Sequence, residues 1–355
     1  MEQTVVLITG CSSGIGLSLA VRLASDPAKI YKVYATMRNL AKKERLLDCV
    51  KDLHKDTLDI LQMDITDQRS ILDARDRVRE KRVNILGMTR VMTYRNSVIS
   101  CVCGCVRETE EQMSLIFLHQ QQFLYMCTAY RMSCALDFCL SVVFMLAVCN
   151  AGVGLMGPLE AQSLATMRQI LEVNLLGTIS TIQAFLPGMK AQGHGRILVT
   201  GSIGGLQGLP FNEVYCASKF AVEGACESLA ILLQHFNIHV SLIECGPVNT
   251  DFLDNLQRAE PGDSSLQQVD AHTRSLYDTY LQHCGMVFQN AAQDTEDIVK
   301  VFLDAIQSTN PAFRYYTNNA LIPLSSPKIS ALDGSQYIRN MSKIIFSTNG
   351  KGEQK

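Results

Sequence analysis

Apolar residues arrive in short unbroken runs, separated by stretches with helical spacing. The first run, Thr4-Val-Val-Leu-Ile-Thr9, is β-branched and wholly apolar between its threonines. That pattern predicts a strand buried on both faces, as in a parallel sheet. A glycine-rich turn follows, Gly10-Cys-Ser-Ser-Gly14-Ile-Gly16, and then a helical repeat from Leu17. Further strands are predicted at 31–36, 57–63, 83–86, 196–200, 239–244 and 313–316. Helices are predicted at 40–53, 67–81, 161–190, 212–236 and 295–307. Strands alternating with helices imply an α/β, Rossmann-like, doubly wound parallel sheet in a single domain over residues 1–330. A tail rich in Ser, Lys and Gly at 331–355 completes the chain.

The alternation breaks once. Residues 87–147 hold six of the thirteen cysteines and six of the fourteen methionines, with no Lys and no Pro. Joining Leu86 directly to Val148 gives Val83-Asn-Ile-Leu-Val-Cys-Asn-Ala-Gly, one unbroken strand and turn. The segment therefore reads as an insertion within the fourth strand. Its composition suits sequence never selected to fold, such as a translated intron or a gene-model error. A lid or partner arm is a second reading. A membrane helix over 134–146 is a third, although it is shorter than the ~20 residues a bilayer needs and contains Asp137. Val142–Val148 can itself supply strand residues, in which case the remainder loops out.

Composition narrows the class. Of 355 residues 47% are hydrophobic and 19% charged, enough for a large core. A formal net charge of −2 recommends neither nucleic acid nor an anionic membrane as partner. The thirteen cysteines show no zinc spacing, and Met1–Ile8 has no basic leader. A cytoplasmic protein with reduced thiols, and without an integral membrane span, is the expectation.

The candidate chemistry lies at two places. In its strand–turn–helix setting the loop formed by Gly10, Ser12, Ser13, Gly14, Ile15 and Gly16 makes an anion site, because glycines admit a pyrophosphate and the helix start offers free N–H groups. The second strand ends in Met37-Arg38-Asn39, without the acid that NAD-preferring folds place there. Arg38 suits a 2′-phosphate instead, which points to NADP(H). Asp64, at the third strand end, is placed to accept from an adenine amino group. The second place is Ser202 with Tyr215-Cys-Ala-Ser-Lys219. Tyr215 and Lys219, four apart, share a helix face. A cation beside a phenol favours proton exchange well below its ordinary pH of ~10. Ser202 can hydrogen-bond the same oxygen, and carbonyl–alcohol interconversion of this kind needs a hydride carrier. Asn174, in mid-helix, either holds a water relaying protons to Lys219 or is a satisfied buried amide. The turn after strand 239–244 brings Pro247, Val248 and Thr250 toward a nicotinamide.

Taken together, Gly10-x-x-x-Gly14-x-Gly16, Asn150-Ala-Gly152, Asn174, Ser202, Tyr215-x-x-x-Lys219 and Gly246-Pro247 resemble the short-chain dehydrogenase/reductase superfamily. Finer phrases, among them residues 5–16, 157–161, 208–212, 214–219 and 242–247, resemble its vertebrate, non-mammalian 17β-hydroxysteroid dehydrogenases. The retinol dehydrogenases are the alternative. The resemblance implies Tyr215 as general acid and Lys219 lowering its pKa while holding the nicotinamide ribose. It implies Ser202 positioning the carbonyl and Asn174 completing a relay. NADP(H) would lie along the glycine loop, Arg38, Asp64, Asn150, Gly152, Val248 and Thr250. A steroid would meet Ser202, Leu209, Asn212, Tyr215, Pro247 and Phe252. Estrone reduction in a homodimer, through the helices at 161–190 and 212–236, is the implied activity and assembly. A histidine is expected at the far end of the steroid pocket, but Ser275 falls near that place, with His272 before it and His283 beyond. Asn150 and Gly152 directly follow the insertion, so a displaced fourth strand would leave a protein without activity.

Overall fold

Seven of the apolar runs become seven parallel strands. In this computed structural model the residues described are 3–51, 56–83, 91–94, 97–100, 145–250, 257–258, 264–318 and 335–346. In chain order β1 (Thr4–Ile8), α1 (Gly14–Ala24), β2 (Tyr31–Met37), α2 (Glu44–Cys49), β3 (Leu58–Gln62) and α3 (Gln68–Val83) come first. Next are β4 (Met145–Cys149), α4 (Leu164–Leu171), a π-type turn at Glu172–Gly177, α5 (Thr178–Gln192), β5 (Gly195–Thr200) and α6 (Glu213–Leu233). The chain finishes with β6 (Ile238–Glu244), α7 (Ala271–Ala291), α8 (Thr295–Gln307), β7 (Arg314–Tyr316) and α9 (Ser335–Phe346).

The sheet order is β3-β2-β1-β4-β5-β6-β7, the order of a doubly wound dinucleotide fold. The order reverses between β1 and β4, and there the loops after the two strands diverge to open a crevice. β1, β2 and β4 are almost continuously buried, because helices cover both faces. α8 shows how a helix earns its place: Ile298, Val299, Phe302, Ala305 and Ile306 recur at helical spacing and are all buried. Arg196 ties that helix to β5 by donating to the Ala305 and Ile306 carbonyls, both at 2.6 Å, and to the Ser308 carbonyl. The run from Leu164 to Gln192 is apolar and long enough to cross a bilayer by length and composition. Half of its most apolar window is buried, and it serves as one layer over the sheet.

The fourth strand corrects the insertion boundary. Met145, Leu146 and Ala147, inside the expected 87–147 insertion, pair with Val5, Val6 and Leu7 of β1. Leu146 and Ala147 also pair with Arg196 and Ile197 of β5. They win the place because they run covalently into Val148-Cys149 in register. Val83 ends α3, while 84–86 and the 134–144 part of the suggested membrane helix lie outside the described residues. Residues 1–76 with 143–355 form one compact unit and residues 77–142 a second. Within the second, Val91–Tyr94 and Ser97–Ser100 form an antiparallel hairpin.

The expected tail is also corrected. Residues 335–346 form α9, which packs on α7. Tyr337 and Ile345 are buried. The signal missed was the spacing of Tyr337, Met341 and Ile345, one turn apart on a single face.

Candidate active site

β1 delivers the glycine loop to the crevice. A Cβ on Gly16 would lie 2.5 Å from both the Gly10 carbonyl oxygen and Asn150 Nδ2, so the loop folds against the turn after β4. Gly14 adopts φ +58° and packs on Thr250 Cγ2. Thr9, buried at the end of β1, staples the two turns. Its Oγ1 accepts from the backbone N–H of Asn150 at 2.9 Å and of Ala151 at 3.0 Å. Asn150 Nδ2 donates to the Thr9 carbonyl at 3.1 Å, and Thr200 Oγ1 donates to Asn150 Oδ1 at 3.2 Å. The Asn150–Gly152 turn is therefore held in register by β1 and β5 despite the segment before it.

α1 starts at Gly14, and Ser13 at its N-cap makes no side-chain capping bond. Its first-turn N–H groups, with the floor of the loop closed to any side chain, fit a pyrophosphate. Arg38 is exposed at the end of β2, with no carboxylate beside it on that strand end. Asp64 Oδ1 accepts from Thr66 N–H at 3.0 Å and Thr66 Oγ1 at 2.8 Å, which fixes the turn into α3. Pro247, Val248 and Thr250 sit in a turn held by Gln293, whose N–H donates to the Pro247 carbonyl at 3.0 Å. The Gln293 carbonyl in turn accepts from Asn249 N–H at 2.9 Å. Gln293 carried no sequence signal of this duty.

The chemistry-bearing side chains meet between β5 and α6. Ser202 follows the end of β5 and caps a short helical turn, accepting from Gly204 N–H at 3.1 Å. The Tyr215 hydroxyl lies within the electrostatic reach of Ser202, which favours its ionised form. Burial pushes the Tyr215 hydroxyl above the ordinary tyrosine range, and Ser202 opposes that rise. Lys219, one turn after Tyr215 on α6, is buried and anchored to the end of β5. Its Nζ donates to the Thr200 carbonyl at 2.9 Å, because the strand end offers a strong acceptor within its reach. Burial lowers the Lys219 amine, and the negative side chains around it, Glu244 and Glu223 among them, oppose the lowering.

Asn174 is buried with its side-chain amide engaged at both ends. Oδ1 accepts from Val153 N–H at 2.9 Å, and Nδ2 donates to the Val153 carbonyl at 2.9 Å and Ser218 Oγ at 3.0 Å. It sits in the π-type turn, a device that re-aims side chains near sites. A Cβ on Gly152 would stand 3.5 Å from Asn174 Oδ1 and 3.9 Å from Lys219 Nζ, so the three residues meet at this turn.

The expected substrate wall is partly engaged in its own packing. Leu209 is half-buried. Asn212 Nδ2 donates to the Pro210 carbonyl at 2.8 Å and to Tyr280 Oη at 2.9 Å. Phe211, held at φ +58°, packs against Tyr277 and Tyr280 at 5.1 and 5.6 Å between ring centroids. Those two tyrosines of α7 were not anticipated as part of the wall. Phe252 lies outside the described residues. His272 and Ser275 are exposed on α7, and His283 is half-buried.

The sequence model of the family described as "short chain dehydrogenase" matches residues 4–93 and 140–261. The chain belongs to the short chain dehydrogenase family. Its match leaves 94–139 uncovered, inside the segment that broke the strand–helix alternation. Among curated relatives, 17-beta-hydroxysteroid dehydrogenase type 1 of Homo sapiens is 42% identical over 98% of this chain and 87% of that protein. Retinol dehydrogenase 8 of Homo sapiens is 36% identical over 96% of this chain and 90% of that protein. A short chain dehydrogenase/reductase of Burkholderia phymatum, solved in complex with NAD, superposes with a TM-score of 0.61 at 19% identity. That match covers 100% of this chain and 98% of that one. It shows the shared fold of the family.

Proposed function

We propose that this short chain dehydrogenase is an NADP(H)-dependent 17β-hydroxysteroid dehydrogenase that reduces estrone to estradiol. The observation that carries the reading is the 42% identity to the human steroid enzyme along nearly the whole chain, set beside the placing of Ser202 within reach of the Tyr215 hydroxyl. The dinucleotide supplies the hydride when bound. The glycine loop and the first turn of α1 hold its pyrophosphate, and Arg38 faces its 2′-phosphate. Lys219 and the Asn150–Gly152 turn hold the nicotinamide half. Ser202 orients the ketone oxygen, and Tyr215 gives that oxygen its proton as the carbonyl carbon is reduced. Burial keeps the Tyr215 hydroxyl protonated, which suits the reductive direction.

Substrate enters against Leu209, Pro247 and the Phe211–Tyr277–Tyr280 cluster. A homodimer is supported by apolar side chains exposed along α4, the π-type turn, α5 and α6, namely Leu164, Leu176, Ile179, Ile231 and Leu232. A cytoplasmic location accords with the seven described cysteines being thiols. The test is NADPH oxidation by the purified full chain with estrone and, separately, all-trans-retinal, using Tyr215→Phe as the blank. Estrone turnover at the higher kcat/KM is expected. Preference for retinal would move the chain to the retinol dehydrogenase reading, and activity on neither would end the reductase assignment.

A further inference from the structure

Behind the Ser202–Tyr215 pair lies a buried polar cluster that the mechanism above does not use. Glu244, at the end of β6, is 2% exposed. Its Oε2 accepts from the backbone N–H of Ser202 at 3.1 Å. The carboxyl reaches that N–H only because residue 201 is glycine: a Cβ there would lie 2.3 Å from Oε2. On the other side, Glu244 Oε1 stands 3.7 Å from Arg314 Nε on β7. Arg314 is itself engaged by Glu223 of α6, with Nη2 and Nε at 2.8 and 3.2 Å from Glu223 Oε2. Two buried carboxyls thus share one guanidinium. A buried carboxylate without its own full charge partner is costly, so one proton is retained between them.

We infer that Glu244 is a positioning residue for the carbonyl reduction, holding the Ser202 backbone and, with Glu223 and Arg314, setting the charge that faces Lys219 and Tyr215. The inference rests on the reductase reading given above. The groups around Glu244 are Glu223, Lys219 and Cys226 on α6, Arg314 and Tyr316 on β7, Cys245 on its own strand, and the Tyr215 hydroxyl. Glu227 lies outside them, 3.7 Å from Arg314. Burial, then the charge of Glu223, raises Glu244 to about 9, with Arg314 and Lys219 opposing. Near neutral pH the pair therefore retains a proton, and Glu244 is the carboxyl that is pushed up. Glu244 in its charged form is the carboxylate that acts on Tyr215 and raises it. Keeping Glu244 neutral keeps that added charge away from the acid.

The experiment compares three variants of the full chain for kcat and KM for NADPH in estrone reduction, and for the pH profile of kcat/KM in estradiol oxidation with NADP+. Glu244→Ala removes the acceptor for Ser202 and is expected to lower kcat about tenfold, with KM for NADPH little changed. Glu244→Gln keeps an acceptor and mimics the protonated acid, so it restores kcat to within about threefold. Glu223→Gln leaves Glu244 as the sole carboxyl facing Arg314. It moves the charge next to Ser202 and shifts the acid limb of the profile upward by about half a pH unit or more. If Glu244→Ala and Glu244→Gln lose activity equally, and Glu223→Gln leaves the limb in place, the cluster is only structural and the inference fails. Should Glu244→Ala not fold, the limb in Glu223→Gln decides alone. A wild-type chain inactive on both estradiol and estrone would overturn the reductase reading, whatever the variants do.

Discussion

The two sides of the crevice build their chemistry from different materials. On the β1 side the working groups are backbone: glycine N–H donors, a helix start, and a turn stapled by Thr9. On the β5–β6 side they are side chains packed into the protein, with Lys219, Glu244 and Glu223 all below 10% exposed. Backbone sites demand small residues at fixed spacing within one short stretch, since a single added Cβ fills them. Buried side-chain sites demand partners from distant strands, since each polar atom needs a satisfied neighbour. The first kind fails by steric exclusion, the second by loss of a proton or a charge.

The largest break in this comparison comes from the side-chain half. Tyr215→Phe removes the general acid proposed for the carbonyl and is expected to lower estrone reduction by about 10³-fold or more. NADPH binding, followed by fluorescence of the reduced nicotinamide, should stay near wild type, because the β1 side is untouched. Loss of binding in step with activity would mean that the two halves are not separable. The converse break is Gly16→Ala. Its methyl would meet the Gly10 carbonyl at 2.5 Å, and neither backbone can give way cheaply. NADPH affinity is expected to fall about 10- to 100-fold while the Ser202–Tyr215 pair remains intact. Thermal melting with and without NADPH reads this out: the variant should gain little from added cofactor.

That contrast also decides what the sequence disclosed. The strand–glycine–helix start, Tyr215 with Lys219, and the parallel sheet were legible because each lies within one local stretch of pattern. Glu244 was read only as the last residue of a strand. Nothing nearby in sequence hints that it receives an N–H from Ser202, 42 residues earlier, or that Glu223 meets Arg314 91 residues on. The anchor of Lys219 was hidden for the same reason: helical spacing placed it on the face of Tyr215, and the acceptor that holds its amine belongs to β5. Phe211 stands 66 and 69 residues from Tyr277 and Tyr280, and only tertiary packing gathers them.

Arg38 sharpens the comparison on the backbone side, where it is the one charged side chain asked to discriminate. Arg38→Ala should cost about 10- to 150-fold in kcat/KM with NADPH and little with NADH, since a charge-assisted contact of this kind is worth roughly 1.5–3 kcal/mol. Equal losses with both coenzymes would deny it the 2′-phosphate.

A smaller effect, in stability, tests the buried half. Glu244 rises from 4.5 to about 9 on folding. Between those values the native state holds a proton that the unfolded chain has released, so stability falls as pH rises through that window. Glu244→Gln lacks the titration. Its melting temperature relative to wild type should therefore climb by about a few degrees from pH 5 to pH 8. A constant offset across that range would mean that the acid is not carrying its proton into the fold.

The smallest effect is expected where the sequence looked most disrupted. β4 supplies the backbone half with its Asn150–Gly152 turn, and its pairing depends on four residues, Met145–Val148, against β1. Removing 94–139, the part outside the family match, leaves those residues in place. Melting temperature and estrone turnover should then stay near those of the full chain. Removing 87–147 instead puts Asn84, Ile85 and Leu86 in register for Met145, Leu146 and Ala147. Leu86 then stands where Ala147, 1% exposed, fits between Leu7 and Ile197, and the extra volume costs about 1–3 kcal/mol. Cofactor binding persists in both chains if the strand register alone positions the turn. A shortened chain that melts normally but no longer binds NADPH would show that residues 94–139 contribute to the crevice themselves, and the backbone half would not be complete in β1 and β4.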